Sequence, residues 1–275
     1  LRYLLRNPYC YDIQFDGNND VRKPIKMLSQ FDNVYAIFNL AAIHKTPGHQ
    51  DYEYFETNIK GAENVCNFAR DNNINTIVFT SSIAPYGASE ELKTEESLPM
   101  PNTPYGISKL VAEEIHKRWQ AEDPKNRKLI IVRPGVVFGK GEGGNFTRLY
   151  QSLRKRMFFY PGRKDTRKAA IYVKDLVRLM LEMAENEPPG VHLFNMAYPE
   201  PHTIEEIVHT IAKVTGVSAN IPLVPSWALK TAAAGLYGSG RLFGKKIMGI
   251  HPDRVKKLMI STNISGKKLQ ESGYA

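Results

Sequence analysis

The sequence is poor in cysteine, in tryptophan and in long apolar runs, and each shortage narrows what the protein can be. Cys10 and Cys66 are the only two cysteines among 275 residues. Two thiols so far apart offer neither a disulfide framework nor a metal-ligand spacing, and they suit free thiols in a reducing compartment. No metal site is expected. No apolar run approaches the roughly 20 residues that cross a bilayer, so stable membrane insertion is not expected. Leu1 to Arg6 has neither the apolar core nor the small-residue cleavage site of a signal peptide, and a cytoplasmic location is expected. Internal repeats and low-complexity tracts are missing too. What is present, 42% hydrophobic and 24% charged residues, is the composition of an ordinary globular chain.

The formal charge of +9 is lopsided. Residues 1–150 balance, with 18 basic and 18 acidic side chains, whereas residues 151–275 hold the remaining 19 and 10. A basic second half suits an anionic small molecule, and a solvated basic face, nucleic acid or an acidic membrane surface would also account for it. Lys245-Lys246 and Lys256-Lys257 come without a recognition motif or interleaved aromatics, so nucleic acid is not expected as a partner.

Hydrophobic patterning predicts an α/β fold. Tyr11–Phe15 alternates as a short strand, Lys23–Phe31 reads as a helix, and Val34–Leu40 as a buried strand. Helix 51–72, strand 76–81, helix 105–121 and strand 129–133 then follow in turn. Such alternation is the mark of βαβ units and a parallel sheet covered on both faces. Beyond Gly135 the pattern loosens into a glycine-rich loop, a helix from 145 to 156, a strand and helix over 170–185, and a strand at 192–196. A helix from Thr203 to Thr215 carries a capping box, Thr203 with Glu206. Residues 221–275 read as helical and basic, with several breakers, and Trp227 and Leu229 as substrate-domain core rather than a membrane contact.

The chemistry concentrates between Thr80 and Lys109. The run Thr76–Phe79 places Thr80, Ser81 and Ser82 at the carboxyl end of a buried strand, where open α/β sheets bind ligands. Tyr105 and Lys109 are four apart at the start of a helix and share a face. A phenol is a poor base at neutral pH; an ammonium one turn away would favour the phenolate. Tyrosine could then take or return a hydroxyl proton while hydride leaves or joins the same carbon. Ser82, four residues before Tyr86-Gly87, would bind the reacting oxygen, and Tyr86 would line the pocket or pack beneath it. Ser82 is a better candidate than Ser81 for this role, and His44 and His49 read as loop surface.

With these motifs in place, the chain resembles the NAD-dependent epimerase/dehydratase group of the extended short-chain dehydrogenase/reductase family. The matching residues are Asp20-Val21, Asn39 to Ala42, Asn58 with Gly61, Ser81-Ser82 through Gly87, Tyr105 to Lys109, Arg133 to Gly135, Asn145-Phe146, Ile171 to Asp175 and Phe194-Asn195. The resemblance implies a Rossmann-like doubly wound parallel sheet with a smaller, mostly helical C-terminal substrate-binding region. Residues 1–140 with about 169–197 would form the dinucleotide domain, and about 141–168 with 198–275 the substrate region. It implies Ser82, Tyr105 and Lys109 as catalytic residues. Cofactor contacts would come from Asp20, Val21, Leu40, Ala41, Ala42, Asn58, Thr80, Ser81, Tyr105, Lys109, Pro134, Gly135 and Val136.

Substrate would meet Ser82, Tyr86, Arg133, Asn145, Arg148, Arg167, Lys168 and Arg254. The cofactor implied is NAD, with NADP as the alternative, because the family's first strand, glycine-rich turn and following discriminating residue lie outside the sequence read here. The substrate implied is a nucleotide-diphosphate sugar, the reaction epimerisation through a keto intermediate, and there is room for a homodimer. A reductase of 4-keto sugars or other carbonyl compounds would use the same residues. A non-catalytic dinucleotide sensor would not need all three of Ser82, Tyr105 and Lys109. Two departures are visible: Pro85 removes a backbone donor, and Ile83-Ala84 stand where dehydratases carry an acidic pair, which argues against dehydration.

Overall fold

Two strands made almost wholly of β-branched and aliphatic residues set the architecture. In the computed structural model, which describes residues 19–26, 34–44, 48–229 and 259–274, the first strand is β1 (Ile37–Asn39). Helix α1 (Asp51–Asp71) follows, then strands β2 (Thr76–Thr80) and β3 (Ser89–Lys93) and helix α2 (Pro104–Ala121). Next come β4 (Lys128–Pro134), β5 (Val136–Phe138) and helix α3 (Asn145–Arg154). Strands β6 (Tyr160–Pro161), β7 (Arg167–Lys168) and β8 (Ala170–Tyr172) precede helix α4 (Val173–Asn186) and strand β9 (Gly190–Met196). The last are β10 (His202–Thr203), α5 (Ile204–Thr215), β11 (Leu223–Val224), β12 (Thr262–Ile264) and α6 (Lys267–Glu271).

The main sheet is parallel throughout, in the order β1-β2-β4-β9. Alternate side chains leave opposite faces. Ile77, Phe79, Leu129 and Ile131 face one core, with Ala62, Val65 and Ala69 of α1 and Ala112 and Trp119 of α2. Val78, Ile130 and Val132 face the other, with Leu176, Leu179, Met180 and Met183 of α4. Six of these strand residues, Ile77, Val78 and Leu129 to Val132, are 0% exposed, each burial worth about 1.5–3 kcal/mol. Helices therefore cover both faces, as the doubly wound fold requires.

The expected elements from residue 34 to residue 215 all form, with ends shifted by a few residues. The strand expected at Tyr11–Phe15 lies outside the described residues, as does most of the helix expected over 23–31; its first residues, Lys23 to Lys26, are irregular. Seven short strands, β3, β5, β6, β7, β10, β11 and β12, were not expected. The acidic, proline-rich stretch after Gly87 contains β3, which pairs in parallel with β12 in a second sheet ordered β10-β7-β12-β3. Its alternation is weak because charged side chains occupy both faces, and it becomes a strand only when Thr262–Ile264 arrives from far along the chain. The described part of residues 221–275 thus contains two short strands as well as helix. Leu269 and Tyr274 pack into the α4 side of the main core. Trp227 is 69% exposed and not core.

Candidate active site

The carboxyl end of β2 and the first turn of α2 meet because a glycine lets them. Thr103 caps α2, its hydroxyl accepting the Gly106 N–H at 3.1 Å, and Pro104 supplies the first helical turn. A Cβ on Gly106 would stand 2.7 Å from the Ala84 carbonyl oxygen. With hydrogen there instead, α2 settles onto the 3-10 turn Ala84–Tyr86, and Tyr105 comes beside Ser82. Pro85 occupies the first turn of that 3-10 segment, where no intrahelical N–H is required.

Tyr105 lies beside Ser82: burial raises the phenol's pKa, and the Ser82 hydroxyl offsets that rise only in part. Ser82 Oγ also accepts the Ala84 N–H at 3.1 Å. Lys109 is 1% exposed, and its Nζ lies 4.2 Å from the Phe79 ring centroid. Burial lowers its pKa to about 7, opposed by the Glu113 carboxylate. In this geometry burial dominates the Tyr105 phenol, whose pKa is raised, and the Lys109 ammonium lies desolvated against Phe79. The side chains expected to share a site do converge, but their electrostatic coupling is weaker than their spacing suggested.

Several other expected residues also lie at the strand ends. Leu40 and Ala41 are exposed at the end of β1, with Ala42 half-buried beyond them. Asn58 joins three segments: its Nδ2 donates to Ser108 Oγ at 2.9 Å and the Ile43 carbonyl at 3.3 Å, and its Oδ1 accepts the Ile43 N–H at 3.0 Å. Thr80 Oγ1 is buried without a hydrogen-bond partner among the described residues. Val21 packs on Gly61, where a Cβ would lie 3.1 Å from both Val21 methyls, and Asp20 is held by the guanidinium of Arg22 at 2.7–3.0 Å. Pro134 is buried at the end of β4, followed by the half-buried Gly135 and Val136.

Three expectations need correction. Ser81 turns away from the cleft and donates to the Glu113 carboxylate, so its hydroxyl is not free for a cofactor. Arg133 is 1% exposed and pairs with Glu113, Nε to Oε1 at 2.9 Å and Nη2 to Oε2 at 2.6 Å. Tyr86 is 2% exposed, lies under the Arg133 guanidinium at 4.6 Å, and donates from its hydroxyl to Asn195 Oδ1 at 2.9 Å. Both side chains are thus taken up inside the fold, Arg133 by Glu113 and Tyr86 by Asn195. Among the basic candidates, Asn145 and Arg148 are exposed on the first turn of α3. Arg167 donates to the Pro201 carbonyl at 2.9 Å and Lys168 Nζ to the Ile260 carbonyl at 2.7 Å. Arg254 lies outside the described residues.

Glu113 was missed, although the spacing held a signal for it: Tyr105, Lys109 and Glu113 recur every four residues along one helix face. His116, 0% exposed and one turn further on, was missed as well.

A hydroxyl–phenol pair thus stands at the carboxyl end of a parallel, Rossmann-like sheet, with a buried lysine one helical turn away. The chain belongs to the NAD dependent epimerase/dehydratase family, whose model matches residues 12–197. It is 28% identical over 252 residues to N-acetyl-alpha-D-glucosaminyl-diphospho-ditrans,octacis-undecaprenol 4-epimerase of Escherichia coli O157:H7, covering 90% of this chain and 73% of that protein. It is 31% identical over 221 residues to UDP-glucose 4-epimerase 2 of Oryza sativa subsp. japonica, covering 71% of this chain and 53% of that one. Among solved structures, MoeE5 in complex with UDP-glucuronic acid and NAD superposes with a TM-score of 0.60 at 24% identity, over 70% of this chain and 66% of its own. The chain thus spans only about half to three quarters of the length of these relatives. Among the described residues, no helix is long and apolar enough to cross a membrane.

Proposed function

We propose that the protein interconverts epimers of a sugar carried on a diphosphate, by NAD-dependent oxidation and re-reduction of one carbinol carbon. The observation that carries this reading is the Ser82–Tyr105 pair with Lys109 buried one turn away. Relatives that are 4-epimerases of UDP-glucose and of an undecaprenyl-diphospho sugar support the substrate class. The site fits a dinucleotide: Thr80 Oγ1 is a buried polar atom without a protein partner among the described residues, at the strand ends where such ligands lie.

When bound, NAD supplies a hydride acceptor and donor. Tyr105 takes the proton from the sugar hydroxyl and later returns it to the same oxygen, and Ser82 holds that oxygen beside the phenol. Lys109 would hold the cofactor ribose and favour the phenolate once a ligand draws its ammonium off the Phe79 ring. Asn58 holds the Ile43 and Ser108 segments on either side of the cleft. Asn145 and Arg148, exposed at the amino end of α3, would grip the diphosphate. The reading includes a homodimer, supported by Ile107 and Val111 exposed one turn apart on α2, and a cytoplasmic location, supported by the free buried Cys66 thiol.

A second reading concerns the carrier. The Escherichia coli relative, matched over 90% of this chain, is named for a sugar on a polyprenyl diphosphate, and exposed Trp227 would suit a lipid-linked substrate. Incubating the protein separately with UDP-glucose, UDP-N-acetylglucosamine and undecaprenyl-diphospho-N-acetylglucosamine, without added reductant, tests both readings. Epimer formation that disappears in Tyr105→Phe supports the activity, and the accepted carrier decides between them. In a separate incubation with added NADH and a 4-keto-sugar substrate, NADH consumption in step with product, without epimer formation in the first assay, would instead point to a reductase. Turnover of any of these sugars unchanged in Tyr105→Phe would remove the catalytic assignment.

A further inference from the structure

His116 holds no substrate group, yet its surroundings define its protonation and its orientation. Nδ1 lies 2.7 Å from the Ala112 carbonyl oxygen, which can only accept, so Nδ1 carries the proton and Nε2 a lone pair. Nε2 lies 3.3 Å from Asn39 Nδ2, which can only donate. That contact orients the Asn39 amide and turns its Oδ1 to the Ala41 N–H, at 3.3 Å. The ring itself stacks on Phe79 with centroids 4.2 Å apart and planes 16° apart. Burial and the nearby Lys109 charge bring its pKa down to about 4, keeping it neutral.

We propose that His116 is a positioning residue for the dinucleotide. As a neutral, Nδ1-protonated imidazole, it holds the Asn39 amide and, through it, the backbone of Leu40 to Ala42. The link to a dinucleotide rests on the cofactor reading above; the hydrogen-bonded relay does not. A purely structural role explains the site poorly. Phe79 and Ala112 would accept an apolar ring without the desolvation that a buried imidazole costs. What the imidazole adds is an acceptor aimed at Asn39. The relay runs from the helix bearing Tyr105 and Lys109 to the end of the neighbouring strand, so two parts of the site are set by one ring.

Three forms of the protein test this: wild type, His116→Phe, which keeps the stack and loses the acceptor, and His116→Gln, which retains an amide oxygen. In the absence of dinucleotide, long-range 15N–1H spectra of the wild type should show His116 with Nδ1 protonated and Nε2 bare. NADH titration followed by fluorescence should show His116→Phe binding about 10-fold more weakly. At saturating cofactor its turnover should stay within about 2-fold of wild type. His116→Gln should recover most of the affinity. An Nε2-protonated tautomer, or unaltered NADH affinity in His116→Phe, would overturn the proposal. Should wild type bind no dinucleotide, the cofactor reading fails instead, and the tautomer spectrum still decides whether His116 holds Asn39.

Discussion

Glu113 and Arg133 form a bidentate ion pair, with contacts of 2.9 and 2.6 Å, in which neither residue is more than 1% exposed. The pair binds α2 to β4 underneath the strand end that carries Ser82. The same carboxylate takes the Ser81 hydroxyl, and the Tyr86 ring lies beneath the guanidinium. Tyr86 continues to Asn195, whose backbone N–H donates to Glu95 at 2.7 Å and whose Nδ2 donates to the Ser265 carbonyl at 3.2 Å. One polar chain thus ties both halves of the sequence below the cleft.

Glu113→Gln leaves the Arg133 charge buried without its counter-ion. A loss of about 3–5 kcal/mol in unfolding free energy is expected, the usual cost of breaking a buried pair by removing one partner. Urea unfolding monitored by circular dichroism measures it. A loss below about 1 kcal/mol would show that solvent reaches the pair.

Ser81 and Ser82 are neighbours in sequence with different partners, so their alanine variants should part company. Ser82→Ala removes the hydroxyl that faces Tyr105 and should lower turnover about 100-fold with little change in stability. Ser81→Ala deprives Glu113 of a donor and should lower stability by about 1–3 kcal/mol, with a smaller effect on turnover. Steady-state kinetics paired with thermal melts separates the two. The reverse pattern would transfer the catalytic assignment to Ser81.

The buried Lys109 should leave a mark on stability against pH. Its folded pKa of about 7 lies below the ordinary 10.5, so between these values the unfolded chain holds a proton that the native chain has released. Stability therefore rises with pH across that window, with a contribution of up to about 1.4 kcal/mol per pH unit, and the penalty is complete below about pH 7. Lys109→Met should flatten that part of the profile. Denaturant midpoints at pH 7, 8 and 9 would check it, and parallel curves for the two proteins would refute the shift.

Gly106→Ala places a methyl group 2.7 Å from the Ala84 carbonyl oxygen, a contact with backbone that cannot swing aside. Overpacking of this kind costs about 1–3 kcal/mol, and relief can come only by lifting the start of α2, and with it Tyr105, from Ser82. Turnover should fall by more than cofactor affinity does. Wild-type kinetics in this variant would mean that the approach of α2 to the 3-10 turn is not needed for the site.

The sequence determined by itself whatever local periodicity or a short motif can encode. The apolar runs at 76–79 and 129–132 read as strands buried on both faces and form as such, and the spacing of Tyr105 and Lys109 follows from the pitch of a helix. The Thr203–Glu206 capping box is equally local, and it forms as read, Glu206 N–H to Thr203 Oγ1 at 3.2 Å and Thr203 N–H to Glu206 Oε2 at 2.8 Å. Only the tertiary structure decided matters that depend on partners distant in sequence. Ser89–Lys93 becomes a strand because residues 262–264 pair with it. Arg133 looks like a substrate-binding cation until Glu113, 20 residues earlier, neutralises it in the core. His116 looks like any helical histidine until Asn39, 77 residues away, is found on its lone pair. Charge and hydrogen-bonding capacity are written in the residue, but which group satisfies them is a property of the fold.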